Sequence, residues 1–574
     1  MYIMSQDFKT VKVLDPRLCV TDEVSYGVIK GGQNNTVSKY PAIAASTSQL
    51  VFNVQVPSEQ TLIDRRCLIK NNWTITITGT PAAGAFLVNY GSQDALAPFP
   101  CMQSFSTVQS TINNNTTNVN MQDVINAILR SNDQRELMAF NGTTPTAFDT
   151  YQKYSDAVLA NNNPLGSFTN VADNDLVPRG AFYIENITGN TIGDGNTSKT
   201  VTVTFETAEP LLVSPWLFAD PKSNAQAIYG VTNLNFTFNI GSMNRIWRTA
   251  SSVANFNVAL TKVNKSELIF TFLTPHASDL MSARNCVPFY ELPRYISTIN
   301  EVAVGAQTLT TNTLQLNQVP DKLIIFVRSP LSTQTVKTAD YFLPITGIKL
   351  NWNNQSGLLS NATAYDLYRY SRKAGSNQSW QEFSGYAWKA SPAGGSGAAV
   401  NTSGSMLMLN MAEDVQLTED WYAPGSIGNF NLQVELAVNN TTGATANFEV
   451  VLITVNSGVM VLERGSTSIF TAILGKSEVL DASQKEAYSG NDVKRMVGGG
   501  FLDSIKSLAG KVLPVALPLA KNLLGSIDNQ YAKAGSAALG ALGYGVGRGH
   551  SGAGSSGGGM GRGHSGGALS KRLH

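Results

Sequence analysis

A chain of 574 residues is long enough for two or three domains with separate cores. Hydrophobic residues make up 43%, as in a globular protein, but only 14% are charged against a usual ~25%, and Asn, Thr, Ser, Gln and Gly fill the difference. The net charge of +1 divides into −5 over residues 1–500 and +6 over 501–574, where eight Lys or Arg meet two acids. A tail of that sign favours an anionic partner such as nucleic acid or membrane headgroups.

The chain opens on MYIMSQDFKT, which lacks the basic-then-apolar pattern of a secretion signal, and residues 1–45 read as an N-terminal arm. Alternation with period two then dominates. Leu50, Phe52, Val54 and Val56 share one face of LVFNVQV, and Trp73, Ile75 and Ile77 alternate with threonines in WTITIT. VTVTF at 201–205, LNFTFNI at 234–240, NLQVELAV at 431–438 and FEVVLITV at 448–455 continue the pattern. Two stretches are helical: 119–131, with Val124, Ile125, Ile128 and Leu129 on one stripe, and 361–375, with Leu367, Tyr368 and Tyr370 and with Gly375 as C-cap. Insertions rich in Gly and Asn at 140–200 and 375–405 read as outer loops or subunit contacts. Cys19, Cys67, Cys101 and Cys286 lie far apart without CxxC spacing and read as free buried thiols.

The two helices sit in halves that repeat. ANFNVALTKVN (254–264) lies on ANFEVVLITVN (446–456) without a gap, with seven of eleven positions identical. Upstream, a Trp segment (Trp216, Trp421) precedes an Asn- and Phe-rich strand in each half. A duplicated β-sandwich is the reading, one unit over 46–260 and the other over 261–470, followed by a linker over 471–500.

Four stretches carry a family resemblance: DPRLCVTDEVSYGVIKGGQN (15–34), APFPCMQSFSTVQSTINNNTT (97–117), GIKLNWNNQSGLLSNATAYDLYRYSRKAG (347–375) and TEDWYAPGSIGNFNLQVEL (418–436). By their joint presence and order the chain resembles the hexon-like double jelly-roll major capsid proteins of the adenovirus and polinton-like virus lineage. The resemblance implies an all-β fold of two tandem eight-stranded jelly rolls with short inserted helices. It implies a homotrimer acting as a pseudo-hexamer in an icosahedral shell, in contact with neighbouring trimers and with minor capsid or penton proteins. Localisation would be the virion. Three copies of a doubled domain present six similar edges, which suits a hexagonal lattice.

No enzyme and no cofactor are expected. His276 is the one histidine before residue 550, so a metal site or a Ser-His-Asp arrangement would hang on it alone. The acidic pairs Glu413–Asp414 and Glu419–Asp420 read as solvated strand ends. The alternative is a tandem β-sandwich that binds glycans or a receptor, with Trp380 and Trp388 stacking on sugars, although a core role suits them better.

The C-terminal region departs from the β pattern. From Phe501, the apolar residues Phe501, Leu502, Ile505, Leu508, Val512 and Leu513 recur at helical spacing, and Pro514 stops the helix. This amphipathic segment, 501–530, either lies in a membrane interface or docks on protein. Just before it, Met496, Gly498, Gly499 and Gly500 resemble the site cut by adenovirus-type maturation proteases, with the scissile bond after Gly499. In adenoviruses a similar cut frees a membrane-disrupting helix. Residues 531–574 are Gly-rich, basic and expected to be disordered; Arg548, Arg562, Lys571 and Arg572 would contact genome DNA or only solubilise the tail.

Overall fold

The computed structural model describes residues 34–90, 93–131, 150–152, 182–217, 227–251, 253–274, 284–338, 340–389, 397–417, 423–463 and 465–471. In chain order the first half supplies β1 (Asn34–Pro41), β2 (Ala44–Ala45), β3 (Gln49–Val54), β4 (Leu62–Ile63), β5 (Leu68–Thr80) and β6 (Asp94–Leu96). It continues with β7 (Phe105–Ile112), β8 (Asn115–Val119), β9 (Phe182–Thr188), β10 (Lys199–Pro210), β11 (Leu234–Ile240), β12 (Trp247–Thr249) and β13 (Ala254–Thr274). The second half has β14 (Arg284–Glu291), β15 (Arg294–Val302), β16 (Gly305–Thr310), β17 (Leu314–Gln318), β18 (Lys322–Arg328), β19 (Ile345–Trp352) and β20 (Gln355–Leu358). Then come β21 (Tyr386–Lys389), β22 (Ala398–Asn401), β23 (Leu407–Asn410), β24 (Ile427–Asn440), β25 (Ala446–Glu463) and β26 (Ser466–Phe470). The helices are α1 (Pro100–Ser104), α2 (Met121–Arg130), α3 (Ala364–Lys373) and α4 (Trp380–Phe383).

Each half is a sandwich of two antiparallel sheets with one strand order. In the first, β1-β13-β5-β10 faces β3-β11-β7-β8; in the second, β14-β25-β18-β23 faces β16-β24-β19-β20, with β15 and β17 extending β14 and β16. Counting eight strands along each half gives 1-8-3-6 and 2-7-4-5 both times, the jelly-roll order, so the sequence repeat is a structural one. The segments matched in sequence, 254–264 and 446–456, both open the eighth strand. Strand β13 runs through residue 260, so the first sandwich reaches Thr274 and not the expected boundary at 260/261. At the other end, β1 belongs to the first sheet and not to an arm ending at residue 45.

Alternation decides which side chains enter the cores. Ile69, Trp73, Ile75 and Ile77 of β5 are buried, with Val201, Val203 and Phe205 of β10 beside them, while the intervening threonines face out. Trp73 meets Phe105 and Phe205 edge-on at ring separations of 6.2 and 6.4 Å. In the second core Trp352 stacks on Phe430 at 5.2 Å. Both expected helices form. Thr363 and Asp366 close a capping box on α3, and Gly375 follows its end with φ +103°. The short helices α1 and α4 lack the length for a periodic signal. Helix α1 is held by Glu209 of β10, whose two carboxylate oxygens accept the amides of Cys101 and Met102 at 2.7 and 2.8 Å. Burial pushes this carboxyl up to about 8, against the pull of those two amides. Cys67 and Cys101 are buried free thiols, Cys286 is half-buried, and Cys19 lies outside the described residues.

Because neighbouring strands run antiparallel, connections 1–2, 3–4, 5–6 and 7–8 gather at one end of each sandwich. The chain entry and the remaining connections gather at the other. The two sandwiches stand in the same sense. At the first end the 5–6 connections meet, with the Asn377 amide donating to the Arg130 carbonyl at 3.0 Å and Gln152 to Asn401 at 3.1 Å. At the opposite end Asn113, between β7 and β8, holds β26: its Nδ2 donates to Thr467 Oγ1 at 3.0 Å, and the Thr467 amide donates to Asn114 Oδ1 at 2.8 Å. Both insertions expected to be outer loops belong to these 5–6 connections. Their parts at 140–149, 153–181 and 390–396 lie outside the described residues.

Candidate assembly interface

The seam between the two sandwiches is where the sequence does something a single sandwich would not need. KLIIFVR, strand β18, is buried along its whole length. Leu323, Ile325 and Val327 enter the second core, whereas Ile324 and Phe326 join the first half's hydrophobic cluster. A continuous apolar run is the mark of a strand covered on both faces. Val451 and Ile453 of β25 and Met408 of β23 extend that outer face.

Helix α2 lies against it. Its stripe of Val124, Ile125, Ile128 and Leu129 is buried within the same cluster, each residue contributing about 1.5–3 kcal/mol of transfer free energy. Asp123, in its first turn and 2% exposed, pairs with Arg328 of β18 at 2.5 Å and with Arg294 of β15. Arg328 also reaches Glu449 of β25 at 3.1 Å, so two guanidinium groups balance two carboxylates across the seam. At the helix C-terminus, where a cation suits the dipole, Arg130 pairs with Glu382 at 3.1 Å. Nearby, Arg245 donates to the side chain and carbonyl of Gln103 and to the Gln122 carbonyl, at 3.0–3.2 Å. Burial draws Arg245 down to about 10, with Asp340 opposing the shift. Asp340 accepts from Gln103 and Arg248, each at 3.2 Å.

The seam is cemented lower down by the segment after β10. Arg65 is buried and donates to the Pro215 carbonyl at 2.7 Å; desolvation lowers it to about 10. Ser214 Oγ donates to the Tyr290 carbonyl at 2.8 Å, tying this segment to β14.

The site residues expected from sequence alone (Met496, Gly498, Gly499 and Gly500; Phe501, Leu502, Ile505, Leu508, Val512 and Leu513; Arg548, Arg562, Lys571 and Arg572) fall outside the described residues, as do His276, Trp421 and the Glu419–Asp420 pair. Trp380 and Trp388 are not core residues: they are 37% and 59% exposed, because α4 and β21 lie at the surface of the second 5–6 connection. Trp380 packs on Tyr365 at 5.3 Å and Tyr368 at 5.5 Å. Glu413 is an exposed strand end as expected, but the Asp414 side chain turns inward and accepts the Asn410 amide at 2.8 Å. Asp123, Arg294, Arg328 and Glu449 were not singled out from sequence. The available signals were an acid interrupting an apolar helix stripe and an arginine closing an apolar strand.

Residues 6–273 match the family model of the Sputnik virophage major capsid protein first domain, and residues 292–458 match that of the major capsid protein V20 C-terminal domain. The chain is similar to the putative capsid protein V20 of Sputnik virophage, 31% identical over 568 residues and covering 93% of each. Among solved structures it is similar to a chain of the Sputnik virophage determined by cryo-EM, with TM-score 0.71 and 30% identity over 85% of this chain and 98% of that one. The crystal structure of the mavirus major capsid protein shares the fold, with TM-score 0.65 and 16% identity over 83% and 96%.

Proposed function

The chain belongs to the family of virophage major capsid proteins and is a structural component of a virion, and on that premise we propose that three copies close into a pseudo-hexameric trimer that tiles an icosahedral shell. The observation that supports this most is the 1-8-3-6 and 2-7-4-5 strand order occurring twice. A trimer of such chains presents six similar units to a lattice. Its relatives being structural capsid proteins, we assign the chain no catalytic role. Size-exclusion chromatography with light scattering and negative-stain microscopy of the recombinant chain test the reading; trimers or particles are expected, and a monomer at micromolar concentration would refute it.

For the C-terminal region we propose maturation. A viral protease would cut after Gly499, and the segment from Phe501 would then act on a membrane or dock beneath the shell, while Arg548, Arg562, Lys571 and Arg572 contact genome phosphates. The glycine run before an amphipathic stripe, in a C-terminal region (501–574) of net charge +6, supports this reading. Mass spectrometry of purified particles should give a body ending at Gly499; full-length chains alone would refute cleavage. Leakage of anionic liposomes by a 500–524 peptide separates membrane action from docking.

A further inference from the structure

The seam within one chain indicates where two chains meet. In each half a helix follows the fifth strand directly: α2 after β8 and α3 after β20. Helix α2 is seated on the outer face of the 1-8-3-6 sheet of the second half. Its counterpart α3 packs on its own half through Leu367 and Ser371, and leaves Tyr365 (54% exposed) and Arg369 uncovered, with Tyr365 and Tyr368 flanking Trp380.

Among the described residues, the matching sheet face of the first half is half-buried or exposed. The sequence repeat and the pairing registers map it position by position. Val451 pairs with Phe326 in the second half, and its repeat partner Ala259 pairs with Thr76 in the first. Thr74 therefore stands where Ile324 stands, Thr76 where Phe326 stands, and Thr204 where Met408 stands. By the sequence repeat Thr261 takes the place of Ile453, while a register shift in β13 sets Lys262 opposite Thr74. These threonines are half-buried or exposed, and they bond one another, Thr74 to Thr204 at 3.1 Å and Thr76 to Thr261.

Resting on the trimer reading above, we infer that α3 and Trp380 of one copy seat on the Thr74–Thr76–Thr204 face of the next copy, continuing between chains the contact that α2 makes within one. This head-to-tail contact closes after three copies. The chemistry of the two faces follows from when they are covered. The second-half face is covered within its own chain and is apolar. The first-half face stays wet until a partner arrives; its threonines keep it soluble and offer methyl groups with no charge of their own to desolvate, leaving Lys262 opposite Thr74 as its cation. Tyr and Trp are the side chains suited to the opposing side.

Full-length chains compared by light scattering test the assignment. Thr76→Lys with Thr204→Lys on the sheet, and separately Tyr365→Glu on the helix, should each weaken trimer formation at least about a hundredfold, because each buries an unpaired charge. Thr237→Lys, on the outer face of β11 in the opposite sheet, should leave the trimer intact. Circular dichroism and melting curves matching wild type confirm that a monomeric variant is folded, and two independent surfaces guard against one misfolding. Trimers as tight as wild type from both sets of variants would overturn this contact while leaving the trimer reading standing. A monomeric wild type would overturn the trimer reading itself.

Discussion

Asp123 shows how much one side chain carries at the seam. Removing it leaves Arg328, itself nearly fully buried, with only Glu449, and leaves Arg294 without its carboxylate across the seam. Breaking a buried pair from one side costs about 3–5 kcal/mol, so Asp123→Ala should lower the melting temperature sharply, whereas Glu435→Ala, in an exposed pair with Lys349, should change it little. Glu209 gives a pH dependence whose sign is fixed. Its folded value of about 8 lies above its ordinary 4.5, so the folded state holds the extra proton. The stability from this group is complete below 4.5, declines as pH rises and is lost as pH passes about 8. Glu209→Gln should flatten that decline; urea titrations of both proteins across the window measure it.

Elements hold together where backbone and side chain agree. Asn113, at φ +54°, donates to Gly230 and Thr467 and accepts from Thr232 and Asn233, so a two-residue turn of the first half holds the last described strand. Asn113→Ala should cost about 2–3 kcal/mol and speed proteolysis near 465–471, read by peptide mapping. At Gly404, φ is +81° and a Cβ would stand 1.7 Å from the Phe342 carbonyl oxygen, so Gly404→Ala should cost more than about 1 kcal/mol in thermal unfolding. Strands with one wet face were legible: the threonines of WTITIT and VTVTF mark period two without ambiguity, whereas β18, buried on both faces, carries no alternation. Helix α2 was legible as a helix, but not as a seam. Its stripe announces one buried side, and nothing in the sequence reports that the other side is covered as well. The pairing of Asp123 with Arg328 spans 205 residues and has no linear signal. Four-residue α4 gave none either, which is why Trp380 was placed in a core.

At the scale of the whole molecule, low charge and assembly are connected. Threonine and aromatic side chains make the larger part of the proposed contact, with Arg369 and Lys262 its charged members, so the trimer should weaken only modestly in about 1 M salt, as sedimentation would measure. The duplicated order also constrains how the protein is made. In each sandwich the last-synthesised long strand, β13 or β25, lies beside the first and at the heart of its sheet. A ribosome that stalls between the end of β18 at Arg328 and the start of β25 at Ala446 therefore releases one finished sandwich and a second without its central strand, its core face at Leu323, Ile325 and Val327 open to any neighbour. Truncated translation products of this gene should accumulate as aggregates, not as smaller soluble shells.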